Sequence, residues 1–349
     1  MLEIKHTICS KCGVGCGLNV ISKNNKLVGI HPFKDHIINE GRNCDNCRNN
    51  VDTQILVSHE SIDYDDLIDS GKEIIKSVKP EEVTILVSGT IDNDELDSVI
   101  DFSNENNFNL VSYEYNFEKI GSEMIPDYDE VEKASTIIAV GDIFRGNPLI
   151  SRRIIHAKDN GCRFINIHTI ENLTGYNCDE FIKIDDYSNL HEELKKLDVD
   201  GNTILVINEI NDESNYMEII NAAKSKGIKV LPVLKHPNSY SVLNKVAPST
   251  IEELNNKFND SSVLILINEN PNFYLDKDAI KSNKILSLNT ATDYGAADVN
   301  IPVQAWFEKD GSFTNSTGLT QEFKIVIPSD AKSVSEVLKL LMEWRCKNG

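Results

Sequence analysis

The sequence has no apolar run of the roughly 18 residues that a membrane-spanning helix needs. It is also poor in positive charge. Against 55 Asp and Glu stand 35 Lys and Arg, a net charge of -20, and such a surface repels the phosphates of nucleic acid. No convincing internal repeat and no low-complexity linker interrupts the 349 residues. The eight histidines are scattered without ligand spacing, and no Ser/His/Asp or Cys/His arrangement for nucleophilic catalysis stands out. Gly141-Asp-Ile-Phe-Arg-Gly146 fits no Gly-rich nucleotide fingerprint. The N-terminus Met1-Leu-Glu-Ile-Lys-His opens directly on a strand pattern without a targeting segment. With 40% hydrophobic and 26% charged residues, the expectation is a cytoplasmic protein of two or three domains that keeps its thiols reduced.

What the chain does have is a run of thiols. Cys9-Ser-Lys-Cys12-Gly-Val-Gly-Cys16-Gly is followed, after 27 further residues, by Cys44. Four thiols spaced C-x2-C-x3-C-x27-C suit one metal centre, three from a tight loop and one from a distant return of the chain. Cys9, Cys12, Cys16 and Cys44 read first as ligands of a [4Fe–4S] cubane. Cys44-Asp-Asn-Cys47 forms a second C-x2-C, so a zinc site of Cys9, Cys12, Cys44 and Cys47 is an alternative, with a 31-residue gap and Cys16 left over. A disulfide framework is the third, and a chain of this size has least need of one. In the cluster reading Cys47 is a spare thiol or a substitute ligand.

Residues 3–8 and 18–31 read as strands around the loop, a small β module ending near residue 55. Beyond it, short apolar strands alternate with helices. The strands are expected at 83–89, 136–141, 163–168, 203–208, 228–234, 263–268 and 284–289, the helices at 63–78, 93–106, 148–159 and 214–225. Continuously apolar strands between helices predict parallel sheets covered on both faces, and their number predicts two Rossmann-like domains. The C-terminal part adds a tight turn at Asp310-Gly311, a strand at 323–327 and a helix at 333–345. Cys162, Cys178 and Cys346 read as structural or bystander thiols, with Asp179 and Glu180 expected to raise the pKa of Cys178. Arg145, Arg152 and Arg153 form one basic cluster that could clamp a phosphate or dock an acidic partner.

The run CSKCGVGCGL (9–18) with Cys44, the segment VEKASTIIAVGDIFRGNPLISRRIIHAKDNGCRFINI (131–167) and ADVNIPVQAWFEKDGSFTNSTGLTQ (297–321) together resemble the molybdopterin oxidoreductase superfamily. That superfamily includes the catalytic subunits of formate dehydrogenases, their counterpart in formylmethanofuran dehydrogenase and the large iron–sulfur subunit of complex I. The resemblance implies an α/β protein: a small β-rich [4Fe–4S] domain (1–55), an α/β domain of 56–112 plus 255–349, and a second α/β domain (113–254) inserted in it. It also implies a pterin crevice near Gly141–Asn147 and Asn289–Tyr294, with Gly141, Arg145 and Asn147 as candidate cofactor-binding residues.

The departures from the pattern set the functional expectation. The C-terminal barrel that holds part of the pterin dinucleotide is not in this sequence. Asn109–Phe117, where catalytic members place a Cys or selenocysteine metal ligand, has no cysteine. Asn46 stands where a Lys separates cluster from pterin, and Arg152-Arg153 and His168-Thr169-Ile170 replace the family's HP and DPR. The expectation is an electron-transfer subunit with one [4Fe–4S] cluster and no molybdenum or tungsten pterin of its own. Its partners would be a flavin, ferredoxin-type or separate pterin-barrel subunit. The alternatives are a catalytic formate or formylmethanofuran dehydrogenase-type subunit carrying molybdopterin, and a zinc-bound structural subunit.

Overall fold

The computed structural model describes residues 2–24, 26–49, 62–115, 117–208, 216–275, 280, 283–290 and 297–342. The expected boundary at 55/56, residues 291–294 of the crevice, Cys346 and the end of the closing helix lie outside them.

Strands β1 (Leu2–Ile8), β2 (Gly17–Lys23) and β3 (Lys26–Pro32) form an antiparallel sheet in the order β1-β2-β3. Ile8 pairs with Gly17, so Cys9 and Cys16 stand at the two ends of the β1–β2 connection, and Cys9 N–H donates to Cys16 O at 2.8 Å. The cysteine loop is therefore the tip of a hairpin.

The chain then enters a parallel sheet through β4 (Val83–Val87) and β5 (Asn109–Ser112) and leaves it. It builds a second parallel sheet from β6 (Thr136–Val140), β7 (Arg163–His168), β8 (Glu180–Lys183), β9 (Thr203–Ile207) and β10 (Lys229–Pro232). It returns to the first with β11 (Val263–Ile267), β12 (Lys284–Asn289) and β13 (Val299–Pro302). The orders are β13-β12-β11-β4-β5 and β10-β9-β6-β7-β8. The protein is α/β, with a small N-terminal β-rich module and two Rossmann-like parallel sheets, one inserted in the other. All five residues of β4, β6, β9 and β11 are buried, which is why they read as unbroken apolar runs.

Three strands, β5, β8 and β13, are additional to the expected series, and all three are sheet edges. Edge strands are short and tolerate polar residues and proline, so Glu180–Lys183 and Val299–Pro302 carry little apolar signal. A hairpin of β14 (Gly311–Thr314) and β15 (Thr320–Phe323) closes the series. Its turn is not the expected Asp310-Gly311, which leads into β14. Asn315–Gly318 makes the turn instead, with Gly318 at φ +81°. The strand expected at 323–327 runs earlier for the same reason.

Candidate metal centre

The thiols of the N-terminal module converge in one buried pocket. Cys9, Cys16 and Cys47 are 2, 3 and 1% exposed, and Cys12 and Cys44 are half-buried. Cys47 Sγ lies 3.3 Å from Cys9 Sγ and 3.7 Å from Cys44 Sγ, on the short helix Asp45–Asn49 that follows Cys44. Hydrogen bonding to Cys47, then burial, pushes the Cys9, Cys16 and Cys44 thiols up. Burial pushes Cys12 up to about 11. Hydrogen bonding with Cys16, Cys44 and Cys9 pulls Cys47 down. Five thiols in one small module are the soft donor type that a thiophilic metal centre takes, and a cubane needs four of them. Such a centre, when bound, supplies one-electron redox chemistry.

The loop between the thiols is clasped from three sides through its backbone. Gly13 N–H donates to Leu234 O at 2.9 Å, and Ser316 N–H donates to Gly13 O at 2.7 Å. Tyr128 OH donates to Val14 O at 2.9 Å, and Gln321 Nε2 to Gly15 O at 3.1 Å. Asn39, fully buried, accepts from Gly17 N–H at 2.7 Å and donates to Gly17 O at 3.0 Å. Gly15 holds φ +81°, and a Cβ there would meet Gln321 and Asn315. Tyr128, Leu234, Asn315, Ser316 and Gln321 were not among the expected site residues. The C-terminal segment quoted for the resemblance contains three of them, and holding the cysteine loop is the local use the structure gives it.

Arg152 and Arg153 do not form a free basic cluster. Arg153, 3% exposed, pairs with Glu132 at 2.9 Å and Glu40 at 3.3 Å and donates to Ile37 O and Ile38 O at 3.0 and 2.8 Å. Arg152 pairs with Glu40 at 2.7 Å. The acidic partner is this chain's own cysteine module, which these side chains dock on the inserted sheet. We expect Arg153→Ala to cost about 3 kcal/mol, because it leaves Glu132 short of its ion pair and two carbonyls short of donors. Limited proteolysis checks this: new cuts should cluster in residues 1–55 while 83–342 resists.

Gly141 follows β6 with φ +93°, and a Cβ there would strike the side chain of Asn208, which follows β9. These residues face each other where the strand order reverses, the position at which open α/β sheets bind ligands. Arg145 is exposed and lines a 430 Å³ cavity with Asp142, His168 and Asn172. Asn147 caps the helix Pro148–Asp159 through its carbonyl, which accepts from Ile150 and Ser151 N–H at 3.0 Å. The three candidate cofactor residues therefore flank or lie in the short helix Ile143–Gly146, with only Arg145 open to that cavity. Cys162 is buried and pushed up to about 11 by burial, and burial rather than its acidic neighbours raises Cys178.

Where the resemblance implies a thiolate or selenolate metal ligand, β5 delivers Glu114. This carboxylate is 2% exposed, accepts from Gly89 N–H and Ser239 Oγ–H, and lies 3.3 Å from His236 Nδ1. Three of its roughly four acceptor sites are thus engaged by the chain itself. Among the described residues no helix is long and apolar enough to cross a membrane.

Residues 2–54 match the family profile described as the molybdopterin oxidoreductase Fe4S4 domain. The F420-dependent formate dehydrogenase subunit alpha of Methanocaldococcus jannaschii is 29% identical over 207 residues, 52% of this chain and 31% of that one. F420-dependent formate dehydrogenase 1 subunit alpha of Methanococcus maripaludis is 27% identical over 217 residues, with the same coverage, 52% and 31%. The chain thus spans about a third of the length of these curated relatives. Among solved structures, acetylene hydratase from Pelobacter acetylenicus superposes with a TM-score of 0.70 at 11% identity, covering 97% of this chain and 69% of the other. A chain of the formyltransferase/hydrolase complex from Methylorubrum extorquens superposes with a TM-score of 0.62 at 11% identity, covering 83% of this chain and 98% of that one.

Proposed function

We propose, from the match of residues 2–54 to the molybdopterin oxidoreductase Fe4S4 domain, that the chain is a member of that superfamily and an electron-transfer subunit with one [4Fe–4S] cluster held by Cys9, Cys12, Cys16 and Cys44. The observation that carries this reading is the convergence of those thiols in one buried pocket on a backbone-clasped loop. Glu114 supports the further step that molybdenum or tungsten chemistry is not done by this chain. A carboxylate already engaged by an amide, a hydroxyl and an imidazole is a poor metal ligand. The partner is a flavin, ferredoxin-type or pterin-barrel subunit of a cytoplasmic redox assembly. The relatives' names point the same way, as a subunit alpha and a chain of a complex. The domain division we propose is 1–55, 56–112 with 255–349, and 113–254.

A second reading is a catalytic formate or formylmethanofuran dehydrogenase-type subunit completed by a separate barrel, and the formate dehydrogenase relatives favour it over other catalytic roles. Gly141, Arg145 and Asn147 would then face a pterin. Metal analysis after anaerobic purification separates the readings. We expect about four irons and four sulfides per chain and no stoichiometric molybdenum or tungsten. Retained molybdenum or tungsten would replace the carrier with the catalytic subunit. Zinc without iron would make the protein a structural subunit.

A further inference from the structure

Two buried carboxylates and a histidine meet at the C-terminal ends of β4, β5 and β11, where the first parallel sheet reverses its strand order. Glu114 holds the amide of Gly89, the hydroxyl of Ser239 and the Nδ1 face of His236. Glu269, 7% exposed, accepts from Ser88 Oγ–H and from Tyr274 OH at 3.1 Å. Among the described residues, neither carboxylate pairs with a lysine or arginine. Tyr115 and Asn268, beside them, both hold φ +50°, a conformation that costs energy for non-glycine residues and clusters at functional sites. A fold that needed only packing here would place apolar side chains.

The network opens towards the cysteine loop. His236 lines a 260 Å³ cavity together with Ser10 and Lys11, the two residues between Cys9 and Cys12. The segment that carries it is bonded to the same loop, through Gly13 N–H to Leu234 O. In its neutral form the imidazole keeps a proton on Nδ1 for Glu114, which leaves Nε2, without a partner among the described residues, as the nitrogen that accepts another.

We infer that the Glu114–His236 pair is a proton-binding site coupled to the electron on the cysteine-bound cluster. The inference rests on the electron-carrier reading above. As one electron arrives from an external reductant and the iron centre is reduced, one proton from solvent forms a new N–H bond at His236 Nε2. On oxidation both leave. The added negative charge and the added positive charge then offset each other across a low-dielectric interior.

The charged and titratable groups around the imidazole are consistent with a proton being held there. On its near side stand Glu114 and Glu269, with Tyr274 behind them and Lys235 stacked on the Tyr115 ring at 3.1 Å. Across the cavity lie Lys11 and the ion-paired trio Lys309, Asp92 and Glu95. Burial, and to a lesser extent Lys235, work against the charged imidazole, but Glu114, aided by Glu269, outweighs them and holds His236 above its ordinary range.

The test is a redox titration of the iron-loaded protein with dithionite between pH 5.5 and 9, for wild type, His236→Gln and Glu114→Gln at matched iron content. In wild type the potential should fall with pH, approaching about 59 mV for each tenfold change in proton concentration. Both substitutions should flatten that slope. A redox-active cluster whose wild-type potential is independent of pH overturns the inference and leaves the carrier reading standing. A slope that survives in both variants places the linked proton elsewhere and also overturns it. A bound cluster that takes no electron defeats both readings. NMR titration of the His236 ring gives a readout independent of the cluster's potential. Its pKa should drop in Glu114→Gln, and an unchanged value counts against the pair.

Discussion

Cys16→Ser should strip the iron from the protein, from about four atoms per chain to fewer than about one, and bleach its colour. A serine oxygen is a hard, protonated donor at neutral pH and replaces a soft thiolate poorly. The loop has no slack to recruit a substitute, because Gly13, Val14, Gly15 and Gly17 are each bonded to a different part of the chain. Far-UV circular dichroism should change little. The two parallel sheets bury their strands in apolar cores that do not depend on the metal, at roughly 25 cal/mol per Å². The contrast between Cys44 and Cys47 is the sharper half of the experiment. The spacing assigns the fourth position to Cys44, whereas the structure places Cys47 deeper and in contact with Cys9. Cys44→Ser should lose the cluster and Cys47→Ser should keep most of it. The opposite result hands the fourth position to Cys47. Loss in Cys47→Ser with retention in Cys16→Ser would establish the zinc pairing of Cys9, Cys12, Cys44 and Cys47.

The residues that announce themselves in the sequence are those whose chemistry is local. Three of the thiols lie within a single hairpin tip, and β4, β6, β9 and β11 are unbroken apolar runs, because burial on both faces leaves no room for a polar alternation. Asp92 is legible as a helix start and does cap Asn93–Asn106, accepting from Glu95 N–H at 3.0 Å. What the sequence hides depends on tertiary contact. Glu114, His236 and Glu269 lie far apart along the chain and become one network only when the two sheets are joined. The role of Arg153 is illegible there because its partners, Glu40 and the carbonyls of Ile37 and Ile38, lie more than a hundred residues away. A lone charged residue in a sequence looks solvated until the fold places something over it. Gly15 and Gly17 stand out as glycines, but Gln321 and His36, which press on them, do not.

Lys309→Met should destabilise the protein by about 3–5 kcal/mol. Lys309 is 10% exposed and bridges Asp92 at 2.5 Å and Glu95, which are 2% and 3% exposed. Asp92 caps one helix, and Glu95 also accepts from Val334 N–H at 3.2 Å, at the start of the helix Val334–Met342. One ammonium therefore joins two helices and the strand that follows it. Burial lowers the pKa of Lys309, but Glu95 and Asp92 outweigh that and raise it, while burial raises Glu95. Methionine keeps the aliphatic length and removes the charge, leaving two carboxylates together in a dry site. Glu95, already raised by burial, then lies further above its value in the unfolded chain. The folded variant binds protons that the unfolded chain does not, so its stability falls as pH rises through that range and recovers on acidification. Urea unfolding at pH 8 and pH 5.5 should show a deficit against wild type that is larger at pH 8. Adding Glu95→Gln to Lys309→Met should recover part of the loss, because it removes one of the two unpaired charges. A deficit equal at both pH values, and untouched by Glu95→Gln, would mean that Lys309 contributes through the packing of its alkyl chain rather than through its charge.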